Sequence, residues 1–196
     1  MLEVARAFSL AQNRPRRSLL FLAVCAEERG LVGSDYFANH PTVPIESIVA
    51  NLNFDTVMLN PPLRDVVAFG ADHSSLGNAV ARAAEQLGLF VSPDPIPQEV
   101  ILVRSDQYSF VKQGVPALML MPGFDRGEGP SAGMVQFQKW LSERYHNPAD
   151  DMQQDMDFEV GAEFARLNFL AAWHIAHDVA RPAWNPGDFF ATTFAR

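Results

Sequence analysis

The sequence contains a single cysteine, Cys25, among 196 residues. That excludes an internal disulfide, and it excludes a thiolate metal site built by this chain alone. No apolar run approaches the roughly eighteen residues that a transmembrane helix needs, so a membrane span is not expected. Basic residues are also scarce, with 15 Lys+Arg against 23 Asp+Glu and a formal net charge of −8. Only Arg14, Arg16 and Arg17 cluster, too few to neutralise a phosphate backbone, which argues against nucleic acid as the main partner. The first residues, Met1 to Phe8, carry Glu3 and Arg6 and lack the order of a signal peptide. There is no Gly-x-Ser-x-Gly elbow, no phosphate-cradling glycine loop, no internal repeat and no composition break that would divide the chain.

What is present is enough apolar material for a sizeable core: 48% hydrophobic and 11% aromatic residues. The pattern along the chain alternates helix and strand, the rhythm of an α/β domain spanning 1–196. A helix is expected over Leu2 to Leu10, closed by Asn13 to Arg17. Ser18 to Ala26 is almost continuously apolar and reads as a central parallel strand covered on both faces. A short helix over Leu31 to Asn39 follows. Ile48 to Asp55 alternates, with Asn51, Asn53 and Asp55 on one side and apolar residues on the other, and reads as a second strand ending at an acid. Val66 to Phe69 is a third strand and Leu76 to Leu87 an amphipathic helix ended by Gly88. Tyr108 to Gln113 reads as a short helix and Pro116 to Met121 as a buried strand. Pro122 to Pro148 reads as a long loop with a short helix near Val135 to Trp140. The last long helix runs from Asp157 to Val179, with Val160, Phe164, Leu167, Ala171 and Ile175 on one stripe. The aromatic tail after Arg181-Pro182 is expected to fold back over the core.

Ligands of open α/β sheets bind beyond the carboxyl ends of the strands. Glu27 and Glu28 follow the apolar segment at such a position, and Asp55 ends its own strand near the same edge. A solvated turn and a strand-ending Asx turn are the bland readings of these acids. Carboxylates converging on one edge repel each other and call for a cation. Of the five histidines, His146, in the loop Tyr145-His146-Asn147-Pro148-Ala149-Asp150, is the favoured nitrogen ligand. His174 and His177 lie three apart without the acid of a helical zinc motif and read as ordinary helix residues. His40 and His73 read as cap or turn residues. Cys25 has no identifiable base beside it and is not a nucleophile candidate.

Four segments, in order, carry a resemblance: Ala26 to Ser34 (AEERGLVGS), Asn53-Phe54-Asp55, Arg104 to Phe110 (RSDQYSF) with Gly114-Val115-Pro116, and Tyr145 to Asp150 (YHNPAD). Together they resemble the di-zinc aminopeptidases of metallopeptidase family-28, clan MH, over nearly the whole chain. The resemblance implies a three-layer αβα sandwich around a mixed, mostly parallel sheet, incomplete at the N-terminus. It also implies a zinc-dependent exopeptidase acting on peptide substrates, most simply an aminopeptidase. Glu27 would be the general base, Glu28 and His146 ligands of one Zn2+, and Asp55 a ligand of the other. Tyr145 would steady the oxyanion, and Asp106 would support the site or position substrate. Such an arrangement lets zinc acidify a water while the neighbouring carboxylate moves its proton to the leaving amine.

Two departures follow from the same comparison. The family's histidine after Ser-Asp is Gln107 here, and a further histidine and a bridging aspartate have no counterpart in this chain. The chain is therefore expected to be the C-terminal portion of a catalytic domain, to bind zinc weakly and to hydrolyse poorly by itself. A catalytically inactive binding module and a glutaminyl-cyclase-like acyl transferase are the alternatives. Family habit implies export.

Overall fold

The computed structural model describes residues 1–56 and 62–195. Its centre is a four-stranded sheet made of β1 (Asn51–Asn53), β2 (Asp65–Phe69), β3 (Phe90–Ser92) and β4 (Ala117–Pro122), in the order β1-β4-β2-β3. β1 runs parallel to β4, and β3 parallel to β2, while β2 and β4 are antiparallel, so the sheet is mixed with parallel pairs outnumbering the antiparallel one. Every residue of β4 is buried, as expected of an apolar strand covered on both faces.

One face of the sheet is covered by α3 (Leu76–Gln86) and α6 (Phe158–His177). Leu76, Ala79, Val80, Ala83 and Ala84 of α3 meet Val160, Phe164, Leu167, Ala171 and Ile175 of α6 in one cluster with Val66, Leu118 and Leu120. Both helices present the stripe that their spacing predicts. The N-terminus of α6 is fixed by Asp157, whose carboxylate accepts from the Glu159 and Val160 amides. Its C-terminus is held by Arg17, which donates to the carbonyls of Ile175, Asp178 and Ala180 at 2.8, 2.6 and 2.8 Å. One of the three clustered arginines is thus a helix cap. α1 (Leu2–Leu10) packs against α6 through Phe8, whose ring is tilted against Phe169 and stacked on Trp173.

The opposite face carries α2 (Val32–Asn39), α4 (Gln107–Val111) and α5 (Ser131–Glu143). Phe137 of α5 joins Val67, Phe69, Met119, Met121 and Phe124 under that face. Helices therefore flank both faces of the mixed sheet, the three-layer α/β architecture that the sequence led us to expect.

Three expectations need correction. Ser18 to Ala26 is not a strand: among the described residues no backbone group pairs with positions 18–24. Leu19, Leu22 and Val24 are half-buried while Leu20 and Phe21 are exposed, so the apolar run lacks the neighbouring strand that would complete a ladder. The Ile48 to Asp55 strand contracts to three residues because β1 pairs on one side only, with β4. α5 extends over thirteen residues where a short helix in a loop was expected. β3 was missed altogether: Leu89-Phe90-Val91 is a short apolar run squeezed between Gly88 and three prolines.

The tail does fold back. α7 (Phe189–Phe194) places Phe190 against Leu102, Val111 and Ala117, and the Trp184 indole donates to the Gly114 carbonyl at 2.9 Å. Asp188 caps α7 through the Phe190 amide at 2.8 Å and accepts from His73 Nδ1 at 2.7 Å. Burial works to raise the Asp188 carboxyl, but the His73 hydrogen bond and the two backbone N–H groups outweigh it and hold the group below its ordinary range. A depressed carboxyl stabilises the fold above its unfolded pKa, and that contribution is lost as pH falls through the folded value. Asp188→Ala is expected to cost about 2 kcal/mol near neutral pH, the sum of a lost cap and a lost side-chain hydrogen bond. The difference from wild type should shrink at pH below about 4. Urea midpoints at pH 7 and pH 3 measure both; an equal gap at the two pH values would contradict the assignment.

Candidate active site

The acid pair sits on a tight turn. Glu27–Arg29 form a single 3-10 turn, flanked by left-handed residues at Ala26 (φ 59°), Gly30 (φ 95°) and Leu31 (φ 60°). Two of these are not glycine, so the backbone is strained on both sides of the acids. The turn is closed by Gly30 and Leu31 amides donating to the Glu27 carbonyl at 3.0 and 2.8 Å. It is clamped onto the first turn of α2, where a Cβ on Gly33 would lie 2.4 Å from the Cys25 carbonyl oxygen. Only glycine permits that approach, which fixes the acids relative to α2.

His146 comes to the same place from the loop after α5. Its backbone is also left-handed, at φ 55°. The loop is braced by Arg144, which donates to the Ala149 carbonyl at 2.7 Å, and by the Asn147 side chain, which accepts from the Ala149 amide at 3.0 Å. The imidazole stacks on Tyr145 with ring centroids 3.7 Å apart, and Tyr145 in turn lies 5.2 Å from Trp140. His146 Nε2 is 2.5 Å from Glu28 Oε1, across 118 positions of sequence.

Asp55 follows β1 by two residues. Its Oδ2 accepts from the Ser105 hydroxyl at 2.6 Å, and its Oδ1 from Thr56 at 3.2 Å. Asn53 Nδ2 donates to Ser105 Oγ at 3.0 Å and to Gln107 Oε1 at 2.8 Å. Gln107 is fully buried and donates from Nε2 to the carbonyls of Ile101 and Leu102 at 3.1 and 2.9 Å. Asp106 stands next to these residues at the start of α4, with its Oδ1 buried and lacking a hydrogen-bond partner.

The charges feel one another. Burial raises the Glu27 carboxyl above the ordinary range, and the negative charges of Asp55, Glu28 and Asp106 push it further, opposed by His146. Burial also raises Asp106, opposed by the Ser34 hydroxyl and reinforced by the charge of Asp55. The Tyr145 phenol is raised by burial and then by Glu28, Asp55 and Glu27, so it stays neutral and able to donate. A carboxyl raised toward neutrality beside a neutral phenol suits proton transfer at a developing oxyanion.

Glu27, Glu28, Asp55, Asp106, Tyr145 and His146 thus share one electrostatic neighbourhood. They do not close into a complete ligand set: among the described residues no three His, Cys, Asp or Glu side chains come together closely enough to hold a metal. Three of the other histidines are engaged elsewhere. His40 Nδ1 meets the Tyr36 carbonyl at 3.2 Å, His73 pairs with Asp188, and His177 stacks on Trp173. His174 is half-buried, and burial followed by the charge of Arg82 lowers its pKa. The sequence reading overlooked the work of Asn53, Ser105 and Gln107. Gln107, standing where the resemblance has a histidine, donates twice through its amide and accepts once. The available signal was an amide on the polar side of β1, Asn53, matched by a second amide, Gln107, in the next motif.

The α/β sandwich thus carries acids on the Glu27–Arg29 turn and beyond β1, with a histidine delivered to them by a distant loop. The chain belongs to Peptidase family M28, whose sequence pattern matches residues 1–175. Solved structures with the same fold include BSAP, a zinc aminopeptidase from Bacillus subtilis, at 20% identity and TM-score 0.65, covering 90% of this chain and 40% of that one. An aminopeptidase from Aneurinibacillus sp. strain AM-1 is 20% identical at TM-score 0.55, covering 85% of this chain and 35% of that one. The glutaminyl cyclase of Porphyromonas gingivalis is 17% identical at TM-score 0.53, covering 87% of this chain and 58% of the cyclase. The chain therefore spans well under two thirds of the length of each.

Proposed function

We propose that this chain carries the proton-transfer and oxyanion machinery, and part of the zinc ligand set, of an exopeptidase that removes N-terminal residues from peptides. The observation that carries the reading is the approach of His146 Nε2 to Glu28 Oε1, next to a general-base candidate raised by its surroundings. The donors fit zinc in kind: a carboxylate and an imidazole converge, and Asp55 supplies a second carboxylate within electrostatic reach. Asp106 adds a buried, unpartnered oxygen, which is costly unless a cation or proton compensates it. In number, Glu28 and His146 are two of the three protein ligands that a catalytic zinc ordinarily takes, and Asp55 is one ligand of a second, so both sets need further ligands.

Bound there, zinc would acidify a water near neutral pH and polarise the scissile carbonyl. The chain's own part is proton traffic and charge placement. Glu27 takes the proton of the attacking water and returns it to the leaving amine. Tyr145 donates its phenolic hydrogen toward the carbonyl oxygen as negative charge develops. The carboxylates around Glu27 favour a substrate end that bears an ammonium over one that bears a carboxylate.

The test is product analysis in the presence of zinc, using peptides with a free N-terminus, N-blocked peptides and an N-terminal glutaminyl peptide. Slow release of the N-terminal residue from the unblocked peptide alone is expected, slow because the ligand sets are short. Loss of the C-terminal residue from the N-blocked peptide would overturn the polarity. Ring closure of the glutaminyl peptide with loss of ammonia, without hydrolysis, would favour a cyclase. No zinc uptake and no turnover would favour a binding module.

A further inference from the structure

The hydrogen bonds behind Asp55 can be satisfied in only one sense. Gln107 is fully buried, and one end of its amide lies 3.1 Å from the Ile101 carbonyl oxygen and 2.9 Å from that of Leu102. Carbonyls only accept, so this end is the nitrogen, and Oε1 faces Asn53. Oε1 only accepts, so Asn53 turns its own nitrogen toward it at 2.8 Å and, with the same nitrogen, reaches Ser105 Oγ at 3.0 Å. An amide nitrogen only donates. Ser105 therefore accepts from Asn53, and its single hydroxyl proton is left for Asp55 Oδ2 at 2.6 Å. Turning over either amide would set acceptor against acceptor or donor against donor inside a buried network, at the cost of an unmade hydrogen bond.

We propose that Gln107 is a positioning residue for Asp55: two backbone carbonyls fix its amide, and Asn53 and Ser105 pass that orientation on, so that Oδ2 is held by the short Ser105 hydrogen bond and Oδ1, which takes only the longer one from Thr56, is the oxygen offered to a metal. The device starts from the main chain of the turn Ile101–Val103 and not from a mobile side chain, which makes its sense permanent. It also explains why a fully buried glutamine begins α4. The metal end of the proposal rests on the zinc reading above; the orienting end does not.

The test uses the whole 196-residue chain and two readouts. In the metal-free protein, nuclear magnetic resonance follows hydrogen exchange of the Asn53 side-chain amide, with β4 backbone amides as the folding control. Gln107→Met is expected to speed Asn53 exchange about tenfold or more while β4 protection persists. If that variant does not fold, Gln107→Glu keeps the volume and an acceptor toward Asn53, removes the donors, and is expected to act in the same direction. Unchanged Asn53 exchange in a folded variant would overturn the proposal.

Zinc titration is the second readout. Ser105→Ala and Gln107→Met are each expected to weaken zinc binding about tenfold, and the double variant no more than Ser105→Ala alone, because the influence of Gln107 passes through Ser105. Independent losses multiplying to about a hundredfold in the double variant, or single variants that bind as wild type does, would overturn it. Should the wild-type chain bind no zinc, the zinc reading fails, and the exchange measurement still decides whether Gln107 orients the network.

Discussion

Replacing Glu27 by glutamine is expected to lower hydrolysis of an aminoacyl anilide by about 100- to 10,000-fold while leaving the amount of bound zinc unchanged. The side chain keeps its shape and loses only the capacity to take a proton. Glu27 is suited to that task because burial and three neighbouring carboxylates raise it above an ordinary glutamate. It stands beside Glu28 on the same strained turn, yet it is Glu28 and not Glu27 that meets His146. On the proposed function, the two adjacent acids divide the work between proton transfer and metal binding. Parallel kinetics and metal analysis of wild type and Glu27→Gln check both halves. A variant that loses zinc in proportion to its activity would make Glu27 a ligand, and one that keeps most of its turnover would move the base elsewhere.

His146→Gly separates stability from function at a single position. The left-handed backbone at His146 costs a side-chain-bearing residue roughly 1–2 kcal/mol, which glycine relieves. Against this stand the greater freedom of glycine in the unfolded chain and the lost stack on Tyr145. The two nearly offset, so folding stability should stay within about 1 kcal/mol of wild type. Zinc affinity should fall by at least about a hundredfold, more than removal of an outer hydrogen-bond partner typically causes. Denaturant unfolding and zinc titration of the same samples test the prediction. Strain kept at a position where glycine would fold equally well is the mark of a side chain retained for its chemistry. A variant that binds zinc as wild type does would remove His146 from the site.

The parts of the molecule legible in the sequence were those governed by local pattern. The α3 and α6 stripes, the buried β4 segment and the returning tail depend on apolar spacing that persists whatever surrounds them. Ser18 to Ala26 failed for the opposite reason: a strand is a property of a pair, and an apolar run states only that it could be covered, not that a neighbour is hydrogen-bonded to it. β3 escaped because three residues beside prolines carry too little pattern to register.

In the site, residue types were easier to foresee than geometry. Glu27, Glu28, Asp55 and His146 stood out as chemistry-bearing residues near strand and loop ends. Their approach depends on left-handed backbone at Ala26, Leu31 and His146, which nothing in those side chains announces. The chain through Asn53, Ser105 and Gln107 joins residues about fifty positions apart by atoms of fixed donor or acceptor character. Such a network becomes visible only once the distances are known.

The most direct measurement is X-ray absorption at the zinc edge on the zinc-loaded chain, compared with His146→Gly. The account predicts a coordination shell of light atoms near 2.0–2.1 Å with imidazole scattering in wild type, lost in the variant. A wild-type spectrum of oxygen neighbours alone, identical in His146→Gly, would contradict it.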